Sequence, residues 1–113
     1  MKITVVILSV AVFFSCSKSN DGGNNNNIDC SGVPKSFSTN VFPIISSRCA
    51  ISGCHASGST NRPGELTTYQ QVFNARANIR NAVISRQMPQ GSSLSQSEIN
   101  MIVCWIDSGA PNN

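Results

Sequence analysis

Apolar side chains fall along this chain in blocks separated by polar stretches. Ile3 to Phe14 is apolar almost without interruption. Ser17 to Ile28 is polar, carries Asn at every position from 24 to 27, and has no aromatic residue. From Asp29 onward apolar residues recur at intervals of three and four, the spacing of one face of an α-helix. Val41, Phe42, Ile44 and Ile45 predict a helix from about Ser38 to Arg48. Pro43 must lie in its first turn or kink it, because proline has no N–H to donate and its ring crowds the preceding turn. Tyr69, Val72, Phe73, Ile79, Val83 and Ile84 predict a second helix from about Thr67 to Ser85. Asn74, Asn78 and Asn81 are poor helix formers and allow a break near its middle. The third helix has the clearest signal. Ser95-Gln96-Ser97-Glu98 is a capping box, Ile99, Ile102, Val103 and Ile106 follow on one face, and Trp105 widens it. Gly109 and Pro111 then supply the stop. No segment alternates apolar and polar residues over strand length, so the predicted fold class is all-α. Two loops separate the helices: Ala56 to Glu65, rich in Gly, Ser and Asn, and Gln87 to Leu94, which contains Met88-Pro89 and Gly91.

The first apolar block reads as a targeting segment. Met1-Lys2 gives it a positive start, and its length suits a signal-peptide core while falling short of a comfortable membrane span. It ends in Phe13-Phe14-Ser15-Cys16, which resembles the lipobox of bacterial lipoproteins, with Phe13 where a leucine is usual. The expectation is a signal peptide over 1–15, a lipidated Cys16, and a flexible Asn-rich tether over 16–28. A folded domain over 29–113 follows, anchored to a bacterial membrane and facing the periplasm or cell surface. An ordinary cleaved signal would instead leave Cys16 as a free thiol in an oxidising compartment. The formal charge of +3 is small, and no basic stripe is interleaved with aromatics. A nucleic-acid partner is therefore not expected.

The 113 residues include five cysteines and one histidine. Lipidation would use Cys16. Cys49 and Cys54, followed by His55, form a Cys-x-x-x-x-Cys-His run. Cys-x-x-Cys-His is the attachment pattern of c-type haem. Its two thiols add to the porphyrin vinyl groups, and the adjacent imidazole ligates the iron. The spacer here has four residues where the common motif has two. Cys30 and Cys104 remain, and they can pair as a disulfide. Other readings balance the same count. Cys49 and Cys54 could form a second disulfide in a haem-free binding or scaffolding domain. They could also be half of a zinc site, although no paired finger spacing supplies the other ligands. A domain this short usually needs a staple or a metal to supplement its core.

An iron held by His55 has a sixth position to fill. Of the three methionines, Met1 belongs to the signal and Met101 lies within the third helix. Met88 lies in a loop before Pro89, which disfavours helical geometry at the preceding residue. Met88 is thus the candidate distal ligand. Taken together, Phe42-Pro43-Ile44-Ile45, Cys49 with Cys54-His55, Met88-Pro89, and Leu94 to Ala110 with Trp105-Ile106 and Gly109-Ala110 resemble the small mono-haem cytochrome c domains of exported bacterial lipoproteins. The resemblance covers nearly all of 29–113. It implies the cytochrome c fold, with first and last helices packed across each other beside the haem. It also implies one covalent haem c per chain, with His55 proximal and Met88 distal. The implied role is one-electron transfer with redox partner proteins, as a monomer and not an enzyme. A haem sensor with a displaceable Met88 is the remaining alternative.

Overall fold

The computed structural model describes residues 27–113. The signal segment, Cys16 and nearly all of the tether lie outside the described residues. Among the described residues the regular structure is helical throughout, as an all-α domain requires. None of these helices is long and apolar enough to cross a membrane.

The first helical segment begins at Phe37 and changes character at Pro43. Phe37–Val41 form a single π-helical turn, which runs directly into α1, Phe42–Arg48. Val41 N–H bonds to Ser36 O at 3.1 Å, and Phe42 N–H bonds to Phe37 O. In a regular helix the Pro43 ring would press on the carbonyl four residues back. The wider turn relieves that clash and leaves Pro43 in the first turn of α1. The expectation of a first-turn proline or a kink is met by a π turn.

The second helix, α2, spans Tyr69–Ile84 without a break. Asn74, Asn78 and Asn81 are all exposed, while Val72, Ala75, Ile79 and Val83 form the buried stripe. The polar residues thus lie on the solvent face and do not interrupt packing. Thr68 caps this helix through a box with Gln71. The third helix, α3, spans Gln96–Asp107 and carries the expected box between Ser95 and Glu98. At its end Gly109 N–H bonds to Ile106 O and Ala110 N–H to Trp105 O, both at 3.0 Å. This double closure needs a left-handed residue, and Gly109 supplies it at φ +104°.

The first and last helices run in opposite directions against each other. Phe37 lies against Trp105, with ring centroids 5.2 Å apart, while Arg48 reaches Glu98 at 3.7 Å. Tyr69 meets Phe37 edge-on at 5.0 Å. Trp105 is fully buried, and its indole N–H donates to Pro111 O at 2.9 Å. A buried indole without a partner would be costly. Val41, Ile45, Val72, Ile102 and Val103 complete the centre of the core. Ile28, at the end of the expected tether, already packs against this core. Met101 does the same, in keeping with a packing role. Cys30 and Cys104 are disulfide-bonded with Cα atoms 5.6 Å apart, so the domain's first residues are tied to α3.

Candidate functional site

α1 ends at Arg48 and delivers the chain into Cys49, which is buried against the core. The chain then turns through Ala50 to Cys54. His55 N–H returns to Cys49 O at 3.0 Å, and Leu66 N–H bonds to His55 O at 2.9 Å. These bonds fold the 49–66 segment back on itself and draw His55 inward, to 6% exposure.

His55 is the only buried polar side chain of the described core. Its Nδ1 lies 2.8 Å from Gly64 O. A carbonyl can only accept, so this bond requires the proton on Nδ1. In the neutral ring the lone pair is then on Nε2, which makes no hydrogen bond and is not sealed in the core. A backbone carbonyl fixing one ring nitrogen while the other is free is the arrangement that orients a metal-ligating histidine.

His55 lines a cleft of about 380 Å³ together with Cys49, Cys54 and Met88, with Arg48 and Arg62 among the remaining residues. A second lobe of about 310 Å³ shares Cys49, His55, Arg62 and Met88 and is walled by Leu66, Ile79, Ala82 and Val83. The four residues singled out from sequence therefore share one cleft, although Met88 is separated from His55 by all of α2. Met88 is half-buried, with its N–H 3.3 Å from Ala82 O. Combined, the lobes fall in the size range of cofactor sites.

Cys49 and Cys54 are both free thiols. Burial pushes the Cys49 thiol up to about 11, and the neighbouring Cys54 adds a smaller push in the same direction. Cys49 is thus a neutral thiol near pH 7. Among the described residues, no three His, Cys, Asp or Glu side chains come close enough to hold one metal ion.

The lining carries two arginines and no Asp or Glu. Arg48 is partly engaged by Glu98, whereas Arg62 forms no ion pair among the described residues. An apolar wall, a cationic rim, two thiols and an oriented imidazole suit a large flat ligand bearing carboxylates. The residues present thus fit a covalently held haem. Sequence reasoning missed Arg62 and the α2 wall. Ile79 and Val83, four apart, are visible as an apolar face, but the sequence carries no sign that this face lines a cleft as well as the core. Comparison with protein families, curated proteins and solved structures finds no match to this chain.

Proposed function

We propose that this chain is a mono-haem c-type electron carrier, exported and held at a bacterial membrane by lipid on Cys16. One observation carries the reading: His55, fixed through Nδ1 with Nε2 unbonded, lines a single cleft together with the free cysteines Cys49 and Cys54 and with Met88. Haem, when bound, supplies a one-electron ferrous–ferric couple. Cys49 and Cys54 hold it by thioether bonds, so it stays with the protein outside the cell. His55 is the imidazole ligand and Met88 the thioether ligand. Leu66, Ile79, Ala82 and Val83 keep water from the buried side, and that burial together with a thioether ligand raises the potential. Arg62 and Arg48, which line the cleft, would be the side chains to pair with the haem's carboxylates. Were haem bound, His55 and Met88 would be the side chains to hold its iron, which suits electron carriage. The protein works as a monomer that exchanges electrons with redox partner proteins.

The test is expression of the full chain in a host with haem-attachment machinery. The expected product keeps its colour after acidified-acetone extraction, and its intact mass rises by one haem. Colourless protein with a Cys49–Cys54 disulfide would overturn the reading. The same mass spectrum reports acylation, which Cys16→Ala should abolish together with detergent partitioning.

A further inference from the structure

The spacer between Cys49 and Cys54 is longer than the common haem c spacing. Each added residue brings backbone freedom that must be removed before both thiols can be presented together. It also brings carbonyls that need donors, because α1 has ended before the spacer begins. The structure places those donors in the following loop. The Asn61 amide nitrogen Nδ2 donates to both Gly53 O and Cys54 O, each at 3.0 Å. The Ser59 hydroxyl donates to Cys54 O as well, and accepts from Asn61 N–H at 3.2 Å. Gly53 stands at φ +82°, in the left-handed region. The donor loop is itself held, since Gly58 N–H donates to the Glu65 carboxylate at 2.6 Å. Asn61 also lines the cleft beside Cys49, Cys54 and His55.

We infer that Asn61, supported by Ser59, is a positioning residue that holds the four-residue spacer in the conformation presenting the Cys54 thiol to the cleft with Cys49 and His55. The inference rests on the haem reading above and deepens it. Attachment at Cys54 adds its S–H across a vinyl C=C. One S–C bond forms, the S–H and C=C π bonds break, the hydrogen ends on the neighbouring vinyl carbon, and nothing is oxidised. Asn61 takes no part in that addition. It acts through the carbonyls of Gly53, the last spacer residue, and of Cys54 itself, and only a donor can do so.

Two variants of the full exported chain separate donation from packing. Asn61→Leu keeps the branching at Cγ but is bulkier, and Asn61→Asp keeps size and polarity; neither can donate to a carbonyl as an ionised or apolar side chain. The readout is the ratio of doubly to singly attached haem. Peptide mass reports an alkylatable Cys54, and the pyridine haemochrome band reports a remaining vinyl. Wild type should be doubly attached. Both variants should lose on the order of tenfold in that ratio, about what losing two ordinary hydrogen bonds implies. Deleting Ile51 and Ser52 in the Asn61→Leu background restores a two-residue spacer and should restore double attachment. Should Asn61→Leu lower the melting temperature before attachment, Asn61→Asp at this exposed position decides. A variant that keeps the wild-type ratio, or a deletion that restores nothing, overturns this inference alone. Wild type without covalent haem overturns the haem reading itself.

Discussion

At the residue scale the cleft depends on two side chains held in opposite ways. His55 is fixed by Gly64 O, whereas Met88 is half-buried in a loop outside any helix. On the haem reading Met88 is an iron ligand; a thioether favours ferrous iron, so removing it should lower the potential and open a coordination site. Met88→Ala is therefore expected to lose the weak far-red charge-transfer band of ferric Met-ligated haem and to bind carbon monoxide readily when reduced. A wild type that already lacks the band and binds carbon monoxide would move a gas-sensing role ahead of electron carriage. Cys49 gives a second expectation, for the chain before attachment. Its thiol ionises at an ordinary 9.0 when exposed and at about 11 in the fold. Between those values the unfolded chain has released the proton and the folded chain retains it. Stability from this group is thus present below pH 9 and lost as pH rises toward 11. The urea midpoint should fall across that window, and Cys49→Ala should flatten the fall when the two pH profiles are subtracted.

At the element scale, two of the three helices begin in reciprocal caps, Thr68 with Gln71 and Ser95 with Glu98. Replacing either cap by alanine leaves backbone donors unpaired and costs about 1 kcal/mol. For a domain of this size that is a loss of roughly 4–8 °C. Ser95→Ala and Thr68→Ala should each show it by calorimetry, and the pair should add, because the two caps share no partner. The α3 box was legible in sequence because Ser, Glu and the apolar period all agree over Ser95 to Ile106. The α2 box was equally present in the letters, but Thr67 and Thr68 compete for the cap, and three asparagines blurred the period. Their placement on the exposed face is a tertiary fact, fixed by which stripe α3 covers. The π turn was illegible for a similar reason. Pro43 announces a disturbance, but its form depends on Phe37 and Val41 both reaching the core. The site divides along the same line. Cys49, Cys54, His55 and Met88 carry chemistry in their identity and spacing. Asn61 and Arg62 are ordinary loop residues until the fold returns the 56–65 loop to the spacer.

At the scale of the whole molecule, the domain is closed at one place and open at another. The Cys30–Cys104 bond spans 74 positions in sequence and joins the first described residues to the buried face of α3. In the chain-entropy treatment, a cross-link over that span removes enough freedom from the unfolded chain to stabilise the fold by about 4 kcal/mol. The cleft shares no residue with it. Its walls come from the segment after α1, from the far half of α2, and from the loop carrying Met88. On the haem reading, a core this small gains from the staple because a pocket kept for a large cofactor withholds apolar surface from packing until the cofactor is bound. The staple should therefore matter most before attachment. The Cys30→Ser, Cys104→Ser double variant is expected to unfold at markedly lower urea than wild type when haem-free, and by a smaller margin once haem is attached and fills the cleft. Its visible spectrum and carbon monoxide response should match wild type, because His55, Gly64 and Met88 are untouched. An altered spectrum in the folded double variant would mean that the disulfide, through α3, also sets the position of the ligands. Frame and cleft would then be a single unit.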